Sequence, residues 1–251
     1  MCKDCGCSLT HPKDGHHHSV IHSNPQLNDV KTLAVIHKIL DKNDIEAQHN
    51  RDHFEQNGVT AFNLMSSPGS GKTTLLEHLH EHTPLKYAVI EGDLETSRDA
   101  DRLKAKGIDA FQIQTGSACH LDAFMVHSAL HNIELKPLDI CFIENVGNLV
   151  CPASYDVGAH KNIVLVSIPE GDDKVEKYPV MFRRADLVII SKCDLLPYFD
   201  FNINETKAHI LKLNPDADIL EISTKSPESL QAVSKWLVEN RVQTTPTSEV
   251  S

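Results

Sequence analysis

The sequence predicts an α/β fold, a mostly parallel sheet flanked by helices, on three observations. After Gly58, strand-like runs alternate with helical patterns, the order that strand–helix–strand units produce. Runs such as Ile140 to Ile143 and Leu187 to Ile190 are almost continuously apolar, which suits strands covered by helices on both faces. The run Thr60 to Met65 leads directly into a glycine-rich turn and then a helical pattern.

Residues 1 to 28 carry little apolar material, three cysteines and several histidines, so they read as a flexible arm suited to binding metal. From Asp29 to about Gly58, Val30, Leu33, Ala34, His37 and Leu40 form an apolar stripe of helical period, predicting one amphipathic helix or two. Strands are expected at Thr60 to Met65, Tyr87 to Glu91, Leu138 to Glu144, Ile163 to Ile168, Leu187 to Ser191 and Asp218 to Ile222. The folded unit therefore spans residues 29 to 240. After Arg241 the chain is rich in Thr, Pro, Ser and Glu, and residues 241 to 251 read as a disordered tail.

At 251 residues the chain is long enough to bury a sizeable core. Its formal net charge of −11 argues against nucleic acid as the main partner, because that binding depends on neutralising phosphates with Lys and Arg. No 18-residue apolar run offers a membrane span, and the polar, cysteine-bearing start is unlike a signal peptide. A cytoplasmic protein is expected. In a reducing compartment the seven cysteines are metal ligands or buried thiols rather than disulfide partners.

The run Ser66 to Thr74 has the composition of a phosphate-binding loop. Gly69 and Gly71 let backbone N–H groups turn inward around Ser70, Lys72 can reach β/γ oxygens, and Thr73 offers a hydroxyl to Mg²⁺, with Thr74 following on the helix. The helix aims its positive end at the same place. The strict pattern starts with glycine, and this chain has Ser66 there. Two further strands end in acidic residues: Glu144-Asn145-Val146-Gly147 carries a carboxylate and a glycine at the spacing of a γ-phosphate sensor, and Asp93 follows Glu91-Gly92. Lys72, Asp93 and Glu144 are the catalytic candidates, with Asp93 also a Mg²⁺ ligand or, in the alternative, a solvated turn residue.

Two tetrapeptides favour guanine over adenine. Ser191-Lys192-Cys193-Asp194 resembles the Asn-Lys-x-Asp motif in which the aspartate accepts from guanine N1–H and the exocyclic amine. Ile222-Ser223-Thr224-Lys225 resembles the last GTPase motif, which meets the guanine oxygen with a backbone N–H. Lys192, Asp194, Ser223 and Thr224 are thus expected at the base, with GTP as ligand.

Cys2, Cys5 and Cys7 place three thiols within six residues, with Gly6 permitting a tight turn, a donor set suited to Ni²⁺, Cu⁺ or Zn²⁺ rather than Mg²⁺. Cys119, His120 and Cys151 leave strand ends near the expected γ-phosphate and form a second candidate metal site. From spacing alone these cysteines read equally well as small buried hydrophobes, whereas Cys141, inside an apolar strand, and Cys193, beside the base, read as structural.

Taken together, Ser67 to Thr73, Thr115-Gly116-Ser117-Ala118-Cys119-His120-Leu121-Asp122, Glu144 to Pro152 and the Cys2-x-x-Cys5-Gly6-Cys7 start resemble the hydrogenase nickel-incorporation GTPases, the HypB family of the signal-recognition/MinD (SIMIBI) class of P-loop proteins. The resemblance covers about residues 29 to 240 as the GTPase domain. It implies a SIMIBI-type G domain, GTP hydrolysis with Mg²⁺, a high-affinity nickel site in the arm, and a metal site at Cys119, His120 and Cys151 that takes Ni²⁺ or Zn²⁺. It also implies a homodimer formed on GTP binding, with partners of the HypA type, a SlyD-type chaperone and the hydrogenase large-subunit precursor. Urease-maturation or cobalamin-chaperone GTPases, and a nickel store with vestigial nucleotide binding, are the alternatives.

Overall fold

The structure is a computed structural model that describes residues 30–93 and 97–242, with side chains of the first helix described from Lys38 onward. Cys2, Cys5, Cys7 and the histidines of the arm, together with residues 243–251, lie outside the described residues.

Seven strands form one sheet: β1 (Thr60–Ser66), β2 (Tyr87–Asp93), β3 (Asp109–Gln114), β4 (Ile140–Glu144), β5 (Lys161–Ser167), β6 (Leu187–Ser191) and β7 (Asp218–Glu221). Their order is β3-β2-β4-β1-β5-β6-β7 and every pairing is parallel. Six of these strands fall where the sequence placed them, within about two residues at each end. β3 was not anticipated. Its sequence Asp-Ala-Phe-Gln-Ile-Gln is half exposed at the sheet edge, so it lacks the apolar run that marked the central strands.

Strand alternation sorts the core onto two faces. Phe62, Leu64, Ile140 and Phe142 point toward α2 (Lys72–His82), α3 (Arg98–Ala105) and α8 (Pro227–Glu239), whose Leu76, Leu103 and Trp236 join the same cluster. Ala61, Ala88, Cys141 and Ile143 point the other way, toward α1 (Val30–Gln56) and α4 (Ala123–Leu130). A third cluster lies beneath α5 (Lys174–Lys177), α6 (Pro179–Arg183) and α7 (Ile203–Leu213). Cys141 is fully buried in the second cluster, where burial pushes its thiol up to about 12. Among the described residues no helix is long and apolar enough to cross a membrane.

The stripe from Val30 forms one helix rather than two. Its docked face is read from Asn43, Ala47, Asn50 and Phe54, all buried at helical spacing. Two of the four are amides, and both grip the start of α4. Asn43 Oδ1 accepts from Ala123 N at 3.0 Å, while Asn50 Nδ2 donates to Ala123 O at 2.8 Å and Val157 O at 3.3 Å. These bonds satisfy a helix-terminal N–H that has no partner within its own helix. At the other end of the chain, Arg241 pairs with Asp139 at 2.7 Å and Val242 N donates to Thr60 Oγ1 at 2.9 Å.

Gly158 brings its loop against α1 with φ +85°, and a Cβ there would meet Ala47 O and Asn50 Cβ at 2.5 Å each. Gly158→Ala is expected to lower stability by about 1–3 kcal/mol through overpacking and a left-handed alanine. Urea titration checks this, and a loss under about 0.5 kcal/mol would mean that α1 retreats freely.

Candidate nucleotide and metal centre

The strand order places the site. β1 and β4 lie side by side although five elements separate them in sequence, and the chain leaves β1 toward one edge and later passes to the other. At such a reversal the carboxyl ends of the strands open a crevice. A cleft of about 460 Å³ lies there, lined by residues 68–75, 91–93 and 144–147, and by Ser191, Lys192, Ile222 and Thr224.

In the loop after β1, Gly69 and Gly71 have φ of 79° and 98°, values that a side-chain-bearing residue adopts only with strain. Lys72 Nζ donates to Ser66 Oγ at 3.0 Å, and Ser66 Oγ in turn donates to Ser67 O at 2.7 Å. The residue that replaces the pattern's first glycine thus holds the loop's lysine. Glu170, in the single 3₁₀ turn Ile168–Glu170 after β5, accepts from Ser70 Oγ at 2.9 Å, from Ser167 N at 2.7 Å and from Ser167 Oγ at 2.9 Å. It ties the phosphate loop to β5, a role the sequence analysis did not identify.

Thr73 Oγ1 donates to Glu144 Oε1 at 2.7 Å. The parallel register pairs Glu144 with both Leu64 and Glu91, so two carboxylates sit side by side above the sheet. Burial raises the Glu144 carboxyl, against the lowering effects of Lys72 and the Thr73 hydroxyl. Burial, then the charges of Glu144, Asp93 and Asp99, push Glu91 up to about 8. Glu91 Oε2 and Glu144 Oε2 are both buried without a hydrogen-bond partner. Buried carboxylate oxygens left in this way, beside a threonine hydroxyl, fit a hard divalent cation such as Mg²⁺, which takes oxygen ligands. Glu91 escaped the sequence analysis, which stopped at Asp93. The signal was available, since i and i+2 on a strand share a face.

At the base end, Lys192 adopts φ 60°, the one positive φ outside glycine among the described residues, and its Nζ donates to Gly69 O at 2.6 Å. The Asp194 carboxylate is held below its ordinary range by bonds from Lys225 Nζ at 2.7 Å and Ser223 Oγ at 2.9 Å, so it remains an ionised acceptor. Ser191 Oγ donates to Ser70 O at 2.8 Å, which makes it a brace for the phosphate loop rather than a reader of the base. Ser223 therefore touches Asp194, while Thr224 lines the cleft. Cys193 Sγ meets Ile190 O at 3.2 Å, and burial pushes its thiol up to about 11.

Cys119, His120 and Cys151 converge. The two Sγ atoms stand 2.7 Å apart, Cys119 Sγ lies 3.7 Å from His120 Nδ1, and one donor atom from each residue falls within 4.8 Å of the others. The His120 ring stacks on Tyr155 at 3.8 Å between centroids. Burial lowers the His120 imidazole, which favours the neutral, ligating form. Two sulfurs and an imidazole suit Ni²⁺ or Zn²⁺.

One segment joins the two centres. From Glu144, on Thr73, it passes to Asn145, whose Oδ1 accepts from Leu121 N at 3.0 Å. At Gly147 a Cβ would touch Pro68 atoms at 3.0–3.1 Å. Asn148 Nδ2 donates to Cys119 O at 3.3 Å, while its Oδ1 accepts from Val150 N at 2.8 Å and Cys151 N at 3.4 Å. Leu121, next to His120, also packs under Gly92, where a Cβ would lie 2.7 Å from it.

Residues 60–221 match the family model described as the CobW/HypB/UreG nucleotide-binding domain. The hydrogenase/urease maturation factor HypB of Helicobacter hepaticus is 50% identical over 227 residues, covering 89% of this chain and 93% of that protein. The hydrogenase maturation factor HypB of Escherichia coli K12 is 43% identical over 231 residues, covering 90% and 79%. Among solved structures, Helicobacter pylori HypB in complex with nickel superposes with a TM-score of 0.78 at 50% identity, covering 81% of this chain and 99% of that one. The signal recognition particle 54 kDa protein of Aeropyrum pernix, at 12% identity and a TM-score of 0.50 over 72% of this chain and 49% of its own, shares the fold alone.

The raised Glu91 carboxyl has a pH signature. The folded chain keeps this proton up to about pH 8, whereas an unfolded glutamate releases it near about 4.3. Between those values the folded state binds more protons, so stability of the metal-free protein is expected to fall as pH rises. Urea midpoints from pH 5 to 8 check this, with Glu91→Gln showing the smaller decline. An equal decline in the variant would assign the slope to other groups.

Proposed function

Since the chain belongs to the CobW/HypB/UreG family of nucleotide-binding proteins, and within it to HypB, we propose that it is a GTP-hydrolysing nickel metallochaperone that serves hydrogenase maturation. The observation that carries this reading is the unbroken run from Glu144 on the Thr73 hydroxyl to Cys151 beside Cys119. Nucleotide state at one end and metal affinity at the other share eight residues of chain.

The residues divide the work as phosphoryl transfer requires, by positioning and charge rather than covalent chemistry. Gly69, Ser70, Gly71, Lys72, Thr73 and Thr74 hold the phosphates, with Lys72 moving its ammonium from Ser66 Oγ to the phosphate oxygens. Thr73 and the carboxylates of Asp93 and Glu144 hold Mg²⁺ or its waters, with Glu91 adjoining. When bound, Mg²⁺ neutralises phosphate charge and orients the attacked group. Asp194 reads guanine, set by Ser223 and Lys225, while Lys192 and Thr224 flank the base end of the cleft.

Cys119, His120 and Cys151 receive Ni²⁺, with Zn²⁺ as a competing occupant, and Cys2, Cys5 and Cys7 in the arm hold nickel tightly. Exposed Phe124 and Val150 flank these ligands in sequence and support a homodimer interface around them on GTP binding. A HypA-type protein, a SlyD-type chaperone and the hydrogenase large-subunit precursor are the proposed partners, in the cytoplasm. The Helicobacter relatives are named for urease as well as hydrogenase, which supports urease as a second client.

Lys72→Ala is expected to reduce GTP hydrolysis about 100-fold or more, by removal of a charge aimed at the transferring phosphoryl group. In the chain with Cys2, Cys5 and Cys7 changed to Ser, Ni²⁺–thiolate absorption should depend on Cys119 and Cys151 and shift when a non-hydrolysable GTP analogue is added. An absorption indifferent to nucleotide would uncouple the two centres and sink the reading.

A further inference from the structure

A second set of potential metal donors lies on α4 where it meets α1, and shares no residue with either centre. His127 and His131 are one helical turn apart, on a common face, and their Nε2 atoms approach to 3.3 Å. The tautomer of His127 follows from its neighbours. Asn50 commits its Nδ2 to the carbonyls of Ala123 and Val157, so its Oδ1 is an acceptor. That oxygen lies 3.2 Å from His127 Nδ1, and Glu46 Oε1 lies 3.0 Å from the same nitrogen. Facing two acceptors, Nδ1 carries the proton, and the lone pair of His127 is left on Nε2, directed at His131. A carboxylate behind the remote nitrogen is the arrangement that orients a metal-ligating imidazole and makes it more basic.

The spacing also fits. Two imidazoles bound at about 2.0–2.1 Å with a tetrahedral angle between them have nitrogens about 3.3–3.4 Å apart. Both rings reach solvent: the His127 side chain is 42% exposed and His131 is exposed, so waters can complete the shell. Glu46, by contrast, is only 16% exposed, so its carboxylate is held in place beneath the pair.

We propose that Nε2 of His127 and Nε2 of His131 form a two-imidazole site for a divalent transition cation of the Ni²⁺ and Zn²⁺ class, with Glu46 and Asn50 as positioning residues. Having two protein donors, it binds more weakly and exchanges faster than the thiolate centre. Imidazole selects it against Mg²⁺. The site stands independently of the nucleotide-driven reading above, because neither residue touches the cleft.

The test is histidine footprinting of the full chain with diethyl pyrocarbonate, read by peptide mass spectrometry, with Ni²⁺ or Zn²⁺ added alone and Mg²⁺ as control. Carbethoxylation of His127 and His131 should slow at least about tenfold with Ni²⁺ or Zn²⁺ and remain unchanged with Mg²⁺. Glu46→Gln should raise the metal concentration for half-protection by about tenfold. His131→Ala should abolish protection of His127 while GTP hydrolysis stays at the parent rate. Unchanged His127 labelling at metal concentrations well above those that protect His120, or protection that survives His131→Ala, would overturn the proposal. Protection of His120 is read in a separate peptide, so failure here is distinguishable from failure of the thiolate site.

Discussion

Everything in the site depends on β4 being hydrogen-bonded between β1 and β2. A strand placed there must end with Glu144 beside the helix that begins at Lys72 on one side and Glu91 on the other. The parallel register leaves no freedom in this, because a slip of one residue would turn Glu144 to the opposite face. The apolar run Ile140 to Ile143 secures the register from both sides, with Phe142 among the aromatic rings of Phe62 and Tyr87, and Cys141 in the small-residue layer under α4. Four central residues of hydrophobic packing thus hold in position two neighbouring carboxyl groups.

Two buried, half-satisfied carboxylates cost stability unless they keep protons or gain a cation. The surrounding structure offsets part of this cost at Glu144, through the charge of Lys72 and the hydrogen bond from the Thr73 hydroxyl. A cation bound there would stabilise the same groups that weaken the metal-free fold.

Much of this was legible in the sequence, for identifiable reasons. The central strands announced themselves because both their faces are covered, and the phosphate loop because glycines at Gly69 and Gly71 have a conformational duty. The edge strand β3 was invisible because only Phe111 and Ile113 carry its pattern. The docked face of α1 beyond Leu40 was not read for a different reason: its anchors include Asn43 and Asn50, whose value lies in bonds to Ala123 that periodicity cannot express. Glu170 and the bracing role of Ser191 are contacts across about 100 and 121 positions of sequence, so no local pattern encodes them. Convergence of Cys119, His120 and Cys151 was an open matter on spacing alone, and the strand order resolved it.

Ser66 looked like a blemish in the glycine pattern, and the structure gives it an occupation. The Lys72 ammonium, buried against the phosphate loop, rests on a neutral hydroxyl. An incoming triphosphate therefore exchanges a weak partner for a strong one and has no ion pair to break first. The Lys72 side chain is folded inward, 8% exposed, rather than extended into solvent. Pro68, in the same loop, packs against Gly147, so any change in the loop's shape presses on the segment that ends at Cys151.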